Sequence, residues 1–281
     1  MGSRALVLGG GGVTGIAWEL GVLAGLRDAG VDLTTADVVI GTSAGAAVAA
    51  QVTSDMDLAD LYAREANAGA PSKERYVEVD LEQLMTGIAT AAAGVTSAVE
   101  LRTRIGRLAL DADTVPEAER IEIIASRLPS HDWPERPLLL TGVDAETGDL
   151  VVWSRESGVP LVSAVAASCA VPIVWPTVTI DGRRYMDGGI RSGTNADLAA
   201  GADVVVVLAP LGDAPAFPGT GLRAELAELG DEVRTAVVQP DAAAVEAIGP
   251  NLLDPGRRAA AAAAGRAQAA QVASLIGDVW G

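Results

Sequence analysis

A serine flanked by glycines is the first residue of this sequence that could do chemistry. Residues 41–45 read G-T-S-A-G and match the pattern G-x-S-x-G. The apolar residues 38–40 before this pattern predict a buried strand, and the small residues 46–52 after it predict a helix. In such a turn Ser43 stands at a helix N-terminus, where backbone N–H groups favour developing negative charge. The context therefore favours Ser43 as a nucleophile over a serine that only caps a turn.

A glycine-rich segment closer to the N-terminus admits three interpretations. Residues 10–15 read G-G-G-V-T-G after an apolar run at residues 4–8, which matches the G-x-G-x-x-G of dinucleotide-binding loops. Such loops act with an acidic residue at the far end of the second strand, but Asp37 precedes that strand here and Gly41 ends it. The backbone N–H groups of the loop could instead hold the oxyanion of a tetrahedral intermediate. The glycines could also serve only the packing of a helix against a strand.

A serine nucleophile needs a proton acceptor, and the sequence offers two candidates. His131, the only histidine, lies in the turn-like segment S-H-D-W-P and is expected to be solvated, which disfavours a Ser-His-Asp triad. Asp187 starts the tripeptide D-G-G after a predicted hairpin. A buried carboxylate near the serine could accept its proton, although this tripeptide alone is more typical of an ordinary turn.

Two successive strand–loop–helix units at the N-terminus predict an α/β fold with a mainly parallel central sheet flanked by helices. Residues 56–130 have helical patterning and are expected to form an insertion that could cover an active site. C-terminal helices are expected within about 219–281, and no linker divides residues 1–281, so we expect a single domain. Further strands are predicted at 138–143, 150–153, 175–180, 183–186, 203–208 and 234–239, and further helices at 161–167, 222–229 and 257–276.

The composition excludes several function classes. Hydrophobic residues make up 49% of the 281 residues, as in globular proteins with a sizeable core. The net charge of −17 at pH 7 repels phosphate backbones and anionic lipids, so we expect no nucleic-acid partner and only a transient, apolar contact with a membrane. Because the chain has one cysteine, Cys169, and one histidine, we expect no internal disulfide, no metal, no cofactor and a cytoplasmic location.

Two uncharged stretches could be mistaken for targeting or membrane segments. Residues 5–18 follow Arg4, but the glycines at 9–12 would break the helix of a signal peptide. Residues 160–180 are long enough to span a bilayer, but Pro172 and Pro176 split them. We therefore predict neither a signal peptide nor a transmembrane helix.

Taken together, the glycine loop, the G-x-S-x-G turn and the D-G-G tripeptide resemble those of the patatin-like phospholipases. The segment A-S-C-A-V-P at residues 167–172, followed by Trp175 and Pro176, is similar to the family's stretch before its catalytic aspartate. The order and spacing of the motifs agree as well, and the resemblance extends from about residue 4 to residue 210. One departure is Thr14, since many members of the family carry Arg or Lys in the glycine loop.

The resemblance implies a three-layer α/β/α fold and a serine acyl hydrolase that needs no histidine. It implies a catalytic dyad of Ser43 and Asp187, with Gly10, Gly11 and Gly12 as the oxyanion hole. The expected substrate is a lipid ester of the kind cleaved by phospholipases A, lysophospholipases or esterases, met at a transient membrane or micelle surface. Two alternatives stay open, namely a nucleotide-binding protein that uses residues 10–15 and an inactive, lipid-binding member of the family.

Overall fold

The structure is a computed structural model that describes residues 2–67, 69, 73–74, 76, 81–213 and 221–281. These residues contain one sheet of eight strands. In chain order the strands are β1 (Arg4–Leu8), β2 (Val38–Gly41), β3 (Leu138–Asp144), β4 (Leu150–Trp153), β5 (Val178–Ile180), β6 (Arg183–Asp187), β7 (Val204–Leu208) and β8 (Arg234–Val238).

The sheet is mixed and mostly parallel. Its parallel centre runs in the order β3-β2-β1-β7-β8, so the two N-terminal strands lie side by side. Strands β4 and β6 pair antiparallel with β3, and β5 pairs antiparallel with β6. Because β1 and β2 are parallel neighbours, the glycine loop after β1 and the serine turn after β2 leave the sheet at the same edge.

Helices connect and cover these strands. In chain order they are α1 (Gly12–Asp28), α2 (Ala44–Val52), α3 (Leu58–Ala66), α4 (Leu81–Ala92), α5 (Ala98–Asp111), α6 (Glu117–Arg127), α7 (Leu161–Ser168), α8 (Leu222–Glu228), α9 (Ala242–Ile248) and α10 (Arg258–Trp280). Helices α3 to α6 fall within residues 56–130, the stretch with helical patterning in the sequence. Of the helices in the described ranges, none is both long enough and apolar enough to cross a bilayer.

Hydrophobic cores lie on both faces of the sheet. In β1, Leu6 and Leu8 point into a core shared with α1, α2, α7 and α10, whereas Ala5 and Val7 point into a second core shared with α8. The β-branched residues of β7 alternate in the same way and are all buried. Burial on both faces is what makes these strands continuous apolar runs, and it gives the three-layer α/β/α arrangement.

Helices α1 and α10 approach each other closely because small residues line their contact. A Cβ atom at Gly21 would collide with the carbonyl oxygen of Ala262, and one at Gly265 would collide with the carbonyl oxygen of Trp18. Trp18 is fully buried, and its indole N–H donates a hydrogen bond to Gln268 Oε1 at 3.0 Å. The glycine and alanine content of these two helices is therefore a packing requirement.

The predicted fold class is confirmed, and every strand expected from the sequence is present. The strands expected at 203–208 and 234–239 are each one residue shorter, and a third strand is shortened by more. The strand expected at residues 175–180 starts at Val178 instead. Residues 171–175 form a tight turn in which the N–H groups of Val174 and Trp175 both donate to the carbonyl oxygen of Val171. This turn occupies the backbone that the sequence pattern assigned to the strand.

Replacing Gly265 with alanine should destabilise the protein even though alanine is the better helix former. We expect Gly265→Ala to lower the free energy of unfolding by about 1–3 kcal/mol, because the methyl group overpacks against the backbone of α1. Gly277→Ala, in the same helix, meets only the Val31 side chain at 3.3 Å and should have a clearly smaller effect. Urea denaturation of both variants measures this, and equal effects would contradict the packing argument.

Candidate active site

Ser43 lies in a sharp turn between β2 and α2. Its φ of 55° and ψ of −117° are values that residues with a side chain rarely adopt. Helix α2 starts at the next residue, so the Ser43 side chain stands at the N-terminus of a nine-residue helix. Only 9% of Ser43 is exposed. The turn thus holds a hydroxyl group where backbone N–H groups favour negative charge.

The glycines on either side of Ser43 are required by close contacts. A Cβ atom at Gly41 would lie 2.6 Å from the Cα atom of Ala46, and one at Gly45 would collide with the carbonyl oxygen of Leu8. The N–H of Gly45 in turn donates to the carbonyl oxygen of Gly9 at 2.9 Å. The G-x-S-x-G pattern therefore reflects a strand-to-helix turn that has no room for side chains at its two ends.

Asp187 reaches Ser43 from the end of β6. The β-sheet register places Gly41 opposite Leu140 and Asp187 opposite Gly142, two residues further along β3. The turn that follows Gly41 therefore comes level with Asp187. The Ser43 hydroxyl donates a hydrogen bond to Asp187 Oδ2 at 2.6 Å, and the N–H of Gly189 donates to Oδ1 at 2.7 Å.

Burial changes the acidity of Asp187. Only 3% of this residue is exposed, and the loss of solvent raises the pKa of its carboxyl group to about 7. The hydrogen bonds from Ser43 and from the Gly189 N–H act in the opposite direction without offsetting the burial. A carboxylate with a pKa near the ambient pH can both accept a proton and return it.

The glycine loop packs directly against Ser43. A Cβ atom at Gly10 would lie 3.5 Å from the Ser43 Cβ atom. The Gly10 N–H already donates to the carbonyl oxygen of Gly193 at 2.8 Å. In the part of the chain that the structure describes, the N–H groups of Gly11 and Gly12 meet no hydrogen-bond acceptor. Two backbone donors beside the serine are thus available for a ligand oxygen.

Two residues at the end of α7 hold the Ser43 backbone. The N–H of Ser43 donates to Ser168 Oγ at 2.9 Å, and the thiol of Cys169 donates to the carbonyl oxygen of Ser43 at 3.1 Å. Burial raises the pKa of the Cys169 thiol to about 12, so the thiol stays protonated and keeps its donor. Both residues belong to the segment A-S-C-A-V-P, whose pattern alone gives neither of them a role.

A buried polar network, which no local sequence pattern indicates, lies beneath the turn. The hydroxyl groups of Thr42 and Thr141 lie 2.9 Å apart, and the amide of Asn195 donates to Thr42 Oγ1 at 3.0 Å and to the carbonyl oxygen of Ser192 at 2.9 Å. All of these side chains are buried. The network ties the nucleophile turn to β3 and to the loop after Asp187, and a buried network of this kind is rigid when its members are paired.

A cavity of about 520 Å³ opens over Ser43 and Asp187. The N-terminal loop, the helical stretch before β3, the segment before β5 and a C-terminal segment at residues 250–253 all contribute to its wall. Most of the side chains that line it are apolar: Val13, Ile16, Ala44, Val171, Val174, Trp175, Ile190, Leu211, Pro250, Leu252 and Leu253. Such a surface can take up an aliphatic chain and exclude water from Ser43 and Asp187.

The remaining residues singled out in the sequence lie elsewhere. His131 is exposed and its Nε2 atom lies 3.1 Å from the carbonyl oxygen of Ala125, outside the lining of the cavity. Asp37 lies before β2, at the opposite end of that strand from the serine turn, and accepts the N–H of Arg4 at 2.7 Å. This placement disfavours a ribose-binding role for Asp37. Thr14 is fully buried, and its N–H donates to the carbonyl oxygen of Leu252 at 3.1 Å.

Comparison with known proteins links this fold and site to one family. The family model described as "Patatin-like phospholipase" matches residues 6–200, which is more than half of the chain. Among solved structures, the crystal structure of VipD from Legionella pneumophila is similar, with a TM-score of 0.45 and 13% sequence identity. That alignment covers 98% of this chain and 67% of the VipD chain. No curated protein matches the sequence.

Removing the Ser168 hydroxyl should weaken the nucleophile turn. We expect Ser168→Ala to lower the free energy of unfolding by about 1–3 kcal/mol, because the buried N–H of Ser43 loses its acceptor. Ser163→Ala, a half-buried position of the same helix, is the matched control and should change stability little. Thermal or urea denaturation gives the comparison, and equal stabilities of the two variants would argue against Ser168 as a support of the turn.

Proposed function

The chain belongs to the patatin-like phospholipase family, whose members are in general lipid acyl hydrolases, and we propose that it is a serine hydrolase acting through a Ser43–Asp187 dyad. The bonds cleaved are carboxylic ester bonds of lipids. The observation that carries this proposal is the 2.6 Å hydrogen bond from Ser43 Oγ to Asp187 Oδ2 at the floor of an apolar cavity. It joins a strained serine to a buried carboxylate of raised pKa, which is the arrangement a nucleophile and its base require.

The first half-reaction forms an acyl-enzyme. Asp187 accepts the proton of Ser43 as Oγ attacks the ester carbonyl carbon, and the carbonyl oxygen becomes an oxyanion. The N–H groups of Gly11 and Gly12, which meet no acceptor among the described residues, are the donors that we assign to this oxygen, while the Gly10 N–H stays bonded to the Gly193 carbonyl oxygen. The tetrahedral intermediate then collapses, and the alcohol leaves with the proton that Asp187 had accepted.

The second half-reaction releases the fatty acid. Asp187 accepts a proton from a water molecule, which attacks the acyl carbon bound to Ser43 Oγ. When this intermediate collapses, the carboxylic acid leaves and the proton returns to Ser43. The same carboxyl group thus takes up and gives back one proton in each half-reaction, which its pKa of about 7 makes feasible at neutral pH.

The cavity wall supports an aliphatic acyl group as the part of the substrate that is bound there. Its apolar side chains would gain about 25 cal/mol for each Å² of hydrocarbon surface removed from water. With a net charge of −17, the protein has no overall attraction to anionic lipids, so contact with a membrane or micelle surface is proposed to be apolar and transient.

Ser43→Ala and Asp187→Asn should each reduce ester hydrolysis by about a thousandfold or more, because each removes one partner of the dyad. The measurement is kcat/KM on a short-chain p-nitrophenyl ester. A fluorophosphonate probe checked by intact-mass spectrometry should add one adduct to the wild type and none to Ser43→Ala. His131→Ala is the control and should keep its activity.

Full activity in Asp187→Asn, or a collapse of activity in His131→Ala, would contradict the dyad. Absence of any adduct on the folded wild-type protein would favour the inactive, lipid-binding alternative. Binding of NAD or FAD in a calorimetric titration would favour the nucleotide-binding alternative, so one protein preparation separates the three hypotheses.

Hydrolysis should depend on pH with a midpoint near 7. The pKa of Asp187 is raised, so the carboxyl group is protonated below about pH 7 and becomes a base only above it. We expect kcat/KM to rise with pH and to lie about tenfold below its plateau one pH unit beneath the midpoint. A profile of kcat/KM from pH 5 to 9 tests this, and a flat profile between pH 5 and 8 would contradict a desolvated base.

A further inference from the structure

A second cavity adjoins the first. Its volume is about 530 Å³, and the two cavities share the wall residues Val13, Ile16 and Arg127. The first cavity is mostly apolar, whereas charged side chains dominate the second. The charged residues that line it are Arg64, Glu65, Lys73, Glu74, Arg127 and Arg258.

The charge balance of this second cavity is opposite to that of the whole protein. Among its described lining residues, four cationic side chains stand against two carboxylates, in a chain whose net charge is −17. Arg258 and Glu65 compensate each other through a hydrogen bond of 2.6 Å from Nε to Oε2. Three cations, Arg64, Lys73 and Arg127, then face one remaining carboxylate, Glu74, which leaves an excess of two positive charges. A concave surface with such an excess concentrates anions.

The boundary between the cavities holds two guanidinium groups and one carboxylate. Arg127 Nη2 forms an ion pair with Glu74 Oε1, and Arg120 Nη1 lies 3.5 Å from the same oxygen. Arg120 is 3% exposed, lies over the Trp175 ring at 3.8 Å, and its Nε atom has no hydrogen-bond acceptor among the described residues. Burial, followed by repulsion from Arg127, lowers the pKa of Arg120 to about 10, so it is still a cation at neutral pH.

Arg120 and Arg127 belong to the wall of the cavity that contains Ser43. The Cys169 thiol, which donates to the Ser43 carbonyl oxygen at 3.1 Å, is within electrostatic reach of both Arg120 and Arg127, since each acts to lower its pKa. Arg127, which lines both cavities, is therefore the point at which a substrate bound at Ser43 would reach the second cavity.

We infer that the second cavity is a headgroup subsite for a phosphate monoester, so that the preferred substrate is an acyl ester carrying a terminal phosphate. This inference rests on the proposed function. Lys73 and Arg127 are the side chains assigned to the phosphate, and Arg120 supports the anion from the boundary. The phosphate monoester is a dianion at neutral pH and matches the charge excess, and Arg and Lys are the side chains that bind phosphate oxygens best.

A zwitterionic choline headgroup fits this cavity less well. Recognition of a quaternary ammonium group uses aromatic faces, and no aromatic side chain is among the described residues that line the second cavity. Both carboxylates there are engaged by arginines, Glu65 by Arg258 and Glu74 by Arg127. The subsite therefore discriminates between headgroups by charge.

Binding to the inactive Ser43→Ala protein tests the subsite without requiring hydrolysis. Three ligands share one octanoyl chain: octanoylglycerol 3-phosphate, octanoylglycerol and octanoylglycerophosphocholine. By isothermal titration calorimetry below their micelle concentrations, we expect the phosphate monoester to bind about tenfold to a hundredfold more tightly than the neutral glyceride. The choline ligand should gain little. Equal affinities for all three would overturn the inference.

Variants that remove one positive charge test which residues cause the preference for the phosphate ligand. Lys73→Gln should reduce the preference for the phosphate ligand by about tenfold, while affinity for octanoylglycerol stays unchanged. Arg127→Gln should reduce the same preference by a similar factor. Arg107→Gln, an exposed position of α5 outside both cavities, is the matched control and should change neither. Lys73 is exposed, so its variant remains informative if Arg127→Gln does not fold. If Lys73→Gln keeps the full preference for the phosphate ligand, the assignment of Lys73 is overturned. If a folded Arg127→Gln keeps it, the assignment of Arg127 is overturned.

A kinetic comparison separates a headgroup from free phosphate and the subsite from the dyad. Inorganic phosphate should inhibit wild-type hydrolysis of octanoylglycerol 3-phosphate and leave hydrolysis of octanoylglycerol unchanged. An effect on both esters would instead identify a site for free phosphate and overturn the headgroup inference. Hydrolysis of the neutral ester with no headgroup preference would overturn only the subsite, whereas phosphate-selective binding without any hydrolysis would overturn only the proposed function.

Discussion

The buried hydrogen bond between Ser43 and Asp187 joins segments 144 residues apart in the chain, and much of the architecture serves to bring them within 2.6 Å. The register of β2 and β6 on β3 sets the height of both residues along the sheet. The glycines at 41 and 45 allow the strand and helix to meet, and the network around Asn195 fixes the loops beneath. A shift of one residue in either strand would turn the side chains to the opposite face.

Burial raises the pKa of the Asp187 carboxyl group, which suits the role of base that we propose for it. The same burial makes the ionised form of the carboxyl group unfavourable. Asp187 has no cationic partner among the causes that shift its pKa, so burial dominates and the group is held near neutrality. An arginine beside it would favour the ionised form and weaken it as a base. The two guanidinium groups that line the cavity, Arg120 and Arg127, lie against Glu74 instead, and neither is among the causes that shift the pKa of Asp187. Under the two proposals, proton transfer therefore takes place at Asp187 in the first cavity, and the charge of the substrate is recognised in the second.

Local patterns made the Ser43 turn and the sheet predictable from the sequence, because G-x-S-x-G and the apolar runs reflect backbone requirements of neighbouring residues. Asp187 was a weaker prediction, since its tripeptide is typical of any turn and only the resemblance to a family gave it a role. The supports from Ser168 and Asn195 could not be predicted, because their partners lie more than a hundred residues away. The same holds for the charged cavity, whose walls combine residues from distant helices and loops. The hydrogen bond from the Gly10 N–H to the Gly193 carbonyl oxygen could not be predicted either, because the glycine motif does not show which of its N–H groups another segment occupies.

The wall segment at residues 250–253 lies beyond residues 6–200, the part of the chain that the family model matches. The Leu252 carbonyl oxygen accepts a hydrogen bond from the Thr14 N–H at the start of α1. This bond holds the segment against the cavity that contains Ser43. Mutations there can reshape the space offered to an acyl chain while the Ser43 turn and the Asp187 strand remain intact. Under the proposed function, part of the acyl-binding wall therefore comes from outside the matched range, whereas Ser43 and Asp187 lie inside it.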